Sequence, residues 1–512
     1  MPEAEPRKAA NLLRRRLLKN PRDVEALLAL ASQLEAAGQV QEAETLVRKA
    51  HRFAPAAPQP LWILGRILQL QGRYDDALAI ADAALATNAA FGAAWQLRGD
   101  SLANSGRQRE AIEAYAEALQ DDTVAFDNLV RLGKMHRVLG ESEQALAYFD
   151  QAALLRPDSA VPLYQRGLLR LANGDFALGW PDYEARWRSE DLAQTRGVVP
   201  VALVPLLKTA PTIADLVGKR VLLMGDQGIG DQVMFASMIA DLQLVAKSIV
   251  CLCEPRLMSV LQNAFPGVSF VHPSGAQIDS GAVDVLLAMS SLGAAFRRVA
   301  ADFPARPYLK AQPAGASHWA TRLGERLAGL RVGISWRGGV PQTGRAERSV
   351  ELEALRGLLE LPDCQIVSLQ YGDVAAEIEQ VNATLASPIR HFPPEDLLDF
   401  QDFADLIETL DLVISVQNAT VHLAGALGKP CIALLPQNAE WRYMKGGSTL
   451  PWYASVHLIR QARPRDWNPV IAEAVRIVQS LARERPPTDQ KTPKLGEGFR
   501  NAFAGSPFDG RL

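Results

Sequence analysis

The sequence predicts two fold classes in series: an all-α array of helical hairpins over the first third, then an α/β half made of two parallel-sheet lobes. Three observations carry this. Small residues recur with a period of 34 positions between residues 31 and 174. Beyond residue 219, short apolar runs alternate with amphipathic stretches, the pattern of a parallel α/β sheet. Pro304, Pro307 and Pro313 interrupt that alternation and mark a hinge between two α/β units.

In the array, Gly65, Gly99, Gly133 and Gly167 lie one period apart, with Ala31 one period earlier. Gly38, Gly72, Gly106, Gly140 and Gly174 form a second series. Ala43, Ala77, Ala111 and Ala145 form a third, and Ala50, Ala84, Ala118 and Ala152 a fourth; Pro55 and Pro157 share one phase at the end of the unit. Small residues belong where two helices cross closely, a glycine ends the first helix, and larger side chains fill the interface. Trp95, Leu97 and Leu102 suit the first helix of one unit, and Ala111, Tyr115 and Ala118 the second. These series resemble the tetratricopeptide repeat, with four good copies over about 24–159 and a degenerate fifth at Gly167 and Gly174. The aromatic residues Trp180, Tyr183 and Trp187 are expected to cap the array, sealing its last hydrophobic face against the next domain.

Such an array presents a concave surface suited to an extended segment of another protein, a spacer or dimerisation arm being the alternative. O-linked N-acetylglucosamine transferase lines its superhelix with asparagines. The corresponding positions here are Ala29, Ile63, Leu97, Arg131 and Gln165, so capture by an asparagine ladder is not expected.

Composition narrows the function classes. The 512 residues carry 54 basic and 57 acidic side chains, a net charge of −3, which argues against nucleic acid as the main partner. No apolar run reaches the roughly 18–20 residues that span a bilayer, and the N-terminus lacks the apolar core of a secretory signal. Cys251, Cys253, Cys364 and Cys431 are too few for a disulfide scaffold, and the seven histidines show no metal-ligand spacing. A cytoplasmic protein without a bound metal is expected.

The predicted organisation is a repeat domain over 1–188, a Pro- and Val-rich linker over 189–218, a first lobe over 219–310, a second over 311–483 and a poorly ordered tail over 484–512. Strands are expected at Arg220–Met224, Ile249–Cys253, Val268–Val271 and Val283–Leu287 in the first lobe. The second should hold Arg331–Trp336, Gln365–Gln370, Leu412–Val416 and Cys431–Leu435. One amphipathic helix is expected over 233–242.

Four segments could carry chemistry. The turn Gly225-Asp226-Gln227-Gly228-Ile229-Gly230-Asp231 follows a strand and precedes a helix, where backbone N–H groups approach an anion closely. It matches neither the dinucleotide fingerprint nor the Walker form, and it could simply be a tight turn capped by Asp231. After RVGISW come Arg337, Gly338, Gly339, Gln342, Thr343, Arg345, Arg348 and Ser349, an arginine-rich turn that suits phosphate or is merely a solvated basic loop. The stretch SVQNATVHLAGALGKP puts Gln417, Asn418 and Thr420 at the start of a helix, with His422 in its first turn as a ligand contact or a structural histidine. PQNAEWRYMKGGSTLPWY offers Trp441, Arg442, Trp452 and Tyr453 beside Gly446-Gly447, aromatics that suit a sugar or base or pack against the first lobe.

GDQGIGDQVMFA, WRGG…RAERS, VSLQYGD, SVQNATVHLAGALGKP and LPWYASVHLIRQ, in that order behind the repeats, resemble bacterial tetratricopeptide-repeat glycosyltransferases. Their catalytic half is similar to heptosyltransferases and more distantly to O-linked N-acetylglucosamine transferase, and flagellin glycosyltransferases are among the relatives. The resemblance runs to about residue 480. It implies an all-α tetratricopeptide-repeat superhelix followed by an α/β GT-B transferase of two Rossmann-like lobes, the first on the acceptor side and the second on the nucleotide-sugar side. The implied activity is inverting, metal-independent transfer from a nucleotide-sugar to a Ser/Thr hydroxyl of a protein bound by the repeats, flagellin being a candidate. The nucleotide-sugar is a co-substrate and no cofactor is implied.

Asp231 matches the aspartate of the heptosyltransferase GD motif, the implied general base. Gly228, Gly230, Arg337, Gly338, Gly339, Arg345, Arg348, Ser349, Gln370, Gln417, Asn418, Thr420, His422 and Trp441 are the implied nucleotide-sugar contacts. Many relatives carry Asp-Thr where this chain has Gln417-Asn418, which leaves the donor nucleotide and sugar open. Two alternatives stand beside this reading: a non-catalytic repeat scaffold with a degenerate transferase half, and a transferase acting on a lipid-linked or polysaccharide acceptor. The transferase reading requires Asp231 to confront cationic groups of the second lobe across a crevice.

Overall fold

A computed structural model describes residues 4–188, 205–274, 278–326, 329–339, 344–362 and 364–483. The expected tail over 484–512, most of the expected linker, and Gln342 and Thr343 lie outside the described residues. The chain forms two compact units that divide after Arg166, so the fifth repeat's Gly167 and Gly174 fall in the second unit.

The first unit is helical. A leading helix, Ala4–Lys19, is followed by the hairpins Val24–Ala36 with Val40–Phe53, Pro58–Leu70 with Tyr74–Thr87, Gly92–Asn104 with Gln108–Ala118, and Asp122–Val138 with Ser142–Leu155. Both glycine series have a physical role. Gly38, Gly72, Gly106 and Gly140 all take φ between +74° and +78°, the left-handed conformation that closes a helix. Each glycine and the residue after it then donate back into the finished helix, as Gly140 does to Arg137 and Glu141 does to His136 at 2.8 Å. In the other series a Cβ at Gly99 would run into the Tyr115 ring, and one at Gly133 into Phe149. Of the positions matching the asparagine ladder, Ile63 and Leu97 are buried in the core, and Arg131 donates to Asp100 at 2.8 Å.

The second unit contains two sheets. In the first, β1 (Arg220–Met224), β2 (Ser248–Leu252), β3 (Val268–Val271) and β4 (Val285–Ala288) are all parallel in the order β3-β2-β1-β4. The second comprises β5 (Leu330–Ser335), β6 (Cys364–Ser368), β7 (Leu412–Val416), β8 (Cys431–Leu435), β9 (Thr449–Leu450) and β10 (Tyr453–Arg460). Its order is β6-β5-β7-β8-β10-β9, with only β9 antiparallel. The central strands β5, β7 and β8 are buried end to end, as in a sheet covered on both faces.

The structure departs from the sequence reading at several places. The helix expected over 233–242 is two helices, Ile229–Ala236 and Ile239–Gln243. It starts four residues early because the Asp231 carboxylate turns back to accept the Gly228 N–H at 3.2 Å. Two further strands were not expected: β9 lies inside the aromatic motif, and β10 starts at its last residue, Tyr453. Within the expected linker, Leu207 pairs with Leu286, and Lys208 N–H donates to the Leu286 carbonyl, on the edge of β4. Trp180, Tyr183 and Trp187 belong to the core of the second unit. Trp180 donates its indole N–H to the Arg297 carbonyl at 2.7 Å, and Trp187 packs with Leu222, Met224 and Leu286.

Candidate functional site

Parallel sheets bind ligands at the carboxyl ends of their strands, where the strand order reverses and neighbouring loops part. In the first sheet that point lies between β1 and β4; in the second it lies between β5 and β7. All four segments singled out from the sequence leave carboxyl ends of parallel strands, after β1, β5, β7 and β8.

After β1, Gln227 adopts φ +66°, a strained conformation for a residue with a Cβ. Asp226 is buried and accepts from Ser290 N and Oγ, and Ser290 and Ser291 in turn accept from the buried Arg186 guanidinium. That guanidinium also pairs with Glu184 at 2.5 Å and lies over the Tyr183 ring. The turn is thereby fixed from below. Gly228 is exposed, while Gly230 meets the helix Ala419–Ala426 so closely that a Cβ would sit 3.1 Å from the Ala419 Cα.

Asp231 faces the second lobe and is ion-paired there with Arg442. The two side chains are 14% and 13% exposed. Burial pushes the Asp231 carboxyl above the usual carboxylate range, with Arg442 pulling against it. Burial also opposes the charge of Arg442, which Asp231, Tyr183 and Glu440 more than restore. Glu440 lies between two arginines, 3.4 Å from Arg442 and 3.5 Å from Arg348. Arg348 also donates to the Gln417 carbonyl at 3.2 Å. A chain of alternating charge thus runs from Asp231 to the start of the Ala419 helix.

The turn after β5 is braced by its neighbours. The Gln370 Oε1 accepts from Ser335 Oγ and from the N–H groups of Trp336 and Arg337. Gly338 lies against the Gln417 carbonyl, where a Cβ would be 2.6 Å from the oxygen, and donates its N–H to Ser349 Oγ. Gly339, at φ +74°, ends this described stretch. Arg337 is paired with Glu377 at 2.5 Å. Arg345 is exposed.

Asn418 caps the Ala419 helix by accepting the Thr420 N–H at 2.9 Å, and its Nδ2 donates to Ser335 Oγ and the Arg337 carbonyl. Gln417 accepts the Glu440 N–H. Both side chains organise the turn.

Three expected contacts are corrected. His422 is buried, with Nε2 3.2 Å from Tyr443 Oη and Nδ1 3.3 Å from Tyr453 Oη; burial, then Arg442 and Arg348, lower its pKa to about 3. It is a neutral core histidine. Thr420 is buried at 1% exposure. Trp441 is buried among Trp180, Tyr183 and Phe235, with centroids 5.7 to 6.4 Å away, because its flat apolar surface closes the seam between the lobes. Trp452 and Tyr453 are likewise core residues.

Asp231, Gly230, Gly338, Arg348, Ser349, Gln417 and Asn418 therefore gather around the start of the Ala419 helix, while Arg345 and Trp441 do not. Of the fourth segment, Arg442 rather than Trp441 joins this group, and the structure adds Glu440, which no sequence signal marked. Among the described residues, no three His, Cys, Asp or Glu side chains gather as a metal ion requires, and no helix is long and apolar enough to cross a membrane.

These features define a class: a tetratricopeptide-repeat array joined to two parallel α/β lobes whose strand-end loops meet in a network of paired charges. The tetratricopeptide-repeat family matches residues 92–120. Protein FlbA of Caulobacter vibrioides (strain ATCC 19089 / CIP 103742 / CB 15) is 30% identical over 431 residues, covering 75% of this chain and 72% of the relative. The chain belongs to the family of FlbA. Among solved structures, that of MamA is 21% identical with a TM-score of 0.26 over 29% of this chain and 86% of its own. TTC0263, a thermophilic TPR protein of Thermus thermophilus, is 22% identical with a TM-score of 0.29 over 32% of this chain and 89% of its own.

Proposed function

We propose that this chain is an inverting, metal-independent glycosyltransferase of the GT-B type. It moves a sugar from a nucleotide-sugar to a Ser/Thr hydroxyl of a protein recruited by the repeats, for which flagellin is the first candidate. The observation that supports this most is the convergence of Asp231 from one lobe with Arg442, Arg348 and the start of the Ala419 helix from the other. The acceptor hydroxyl gives its proton to the Asp231 carboxylate as its oxygen bonds to the anomeric carbon. The bond from that carbon to the donor phosphate oxygen breaks, and its electron pair leaves with the nucleotide. The arginines and helix N–H groups receive the resulting negative charge, so the scheme calls for no metal. Direct displacement inverts the anomeric centre.

One observation favours a second reading, a repeat scaffold without catalysis: Asp231 and Arg442 satisfy each other, and Gly230 lies directly against Ala419. Mass spectrometry of a candidate acceptor, produced with wild-type chain or Asp231→Asn, separates the two. The transferase reading expects the sugar mass to vanish in the variant, a loss of about 10²–10⁴-fold in rate. Unchanged biological function with Asp231→Asn would leave the scaffold.

A further inference from the structure

Where the two lobes meet, two carboxylates and two guanidiniums are already matched to one another. Arg442 uses Nε on Asp231 and Nη1 on Glu440, and Arg348 uses Nη1 on Glu440. Trp441 anchors the backbone beside Arg442 in the aromatic seam, so the guanidinium can swing while its Cα stays in place. Resting on the transferase reading, we infer that Arg442 is a donor-released latch on Asp231: the diphosphate of an entering nucleotide-sugar draws Arg442 away and thereby frees the carboxylate to accept the hydroxyl proton.

The chemistry follows from the partners. A diphosphate offers the arginine fork more negative charge and more acceptor oxygens than one carboxylate does, so bidentate pairing favours the exchange. Asp231 then keeps only the Gly228 N–H among its present hydrogen bonds. Its buried carboxyl, no longer held down by Arg442, becomes the stronger base. Without a donor the base stays occupied by Arg442. Arg442 thus binds the donor phosphate and, by leaving Asp231, sets the base free.

Competition between Asp231 and phosphate gives the test its sign. The full-length chain is titrated calorimetrically with UDP, GDP, ADP, CDP and CMP, as wild type, Asp231→Asn, Arg442→Gln and Arg442→Lys. Asparagine keeps an acceptor for the Gly228 N–H but gives up the ion pair. Asp231→Asn should therefore bind the preferred nucleotide on the order of tenfold more tightly, since Arg442 no longer has to be won from a partner. Arg442→Gln should weaken binding, and Arg442→Lys should recover part of it. If a nucleotide binds the wild type but Asp231→Asn binds it equally or less tightly, the latch is overturned and the transferase reading survives. If none binds either wild type or Asp231→Asn, the transferase reading itself fails and takes the latch with it.

Discussion

The Asn418 Nδ2 lies 2.7 Å from Ser335 Oγ, tying the start of the Ala419 helix to the end of β5. The same group donates to the Arg337 carbonyl at 3.1 Å, while Oδ1 caps the helix at Thr420. Only an amide can do both, with a donor on one side and an acceptor on the other. Asn418 is thus a structural solution to joining two strand ends.

Asn418→Asp keeps the cap but sets a carboxylate against the Arg337 carbonyl. It should cost about 1–3 kcal/mol, the penalty for an unmet buried polar group. Chemical denaturation measures this, and a loss within experimental error would show that the turn tolerates either residue.

Trp441 sits in the seam rather than in the ligand's path. Trp441→Ala should cost about 3–5 kcal/mol of stability, while Trp441→Phe should leave nucleotide affinity within about twofold of wild type, a difference of only some tenths of a kcal/mol. A large affinity loss in Trp441→Phe at unchanged melting temperature would return Trp441 to the ligand site.

His422 makes stability depend on pH. Its folded pKa of about 3 lies below the unfolded value near 6.5, so on acidification the unfolded chain takes up the proton first. Its contribution is complete above about 6.5 and is lost as the pH falls toward about 3, by at most about 1.4 kcal/mol per unit. His422→Gln should flatten the decline in melting temperature across that window. An identical slope in both proteins would mean that His422 is protonated in the fold.

The two glycine series should fail differently. Gly140→Ala places a Cβ in a left-handed turn with open space around it, costing about 1–2 kcal/mol. Gly133→Val drives a branched side chain into Phe149 and should cost about 1–3 kcal/mol or more through overpacking. Helical signal in thermal melts of the full chain reads both. If Gly133→Val proved the milder change, the helices would not cross where the period places them.

The array and the strand positions were legible because their causes are local or periodic. Gly38 through Gly140 mark left-handed helix ends, and the apolar runs at Arg220–Met224, Val268–Val271, Leu412–Val416 and Cys431–Leu435 coincide with the observed strands. The site was legible only as a set of loops. Asp231 and Arg348 stand in the sequence as charges at strand ends, whereas nothing local marks Glu440, which pairs with both Arg442 and Arg348.

Which polar groups in those loops remain open to a ligand depends on partners far away along the chain. Arg337 is taken by Glu377, 40 residues on, and Asp231 by Arg442, 211 residues on. His422 and Trp441 resemble ligand contacts in a linear motif and become core residues once Tyr443, Tyr453, Trp180 and Phe235 close around them. Periodicity and turn chemistry act between residues near in the chain, so they are written in it directly. Charge pairing and burial act between surfaces that meet only on folding, so these belong to the tertiary structure alone.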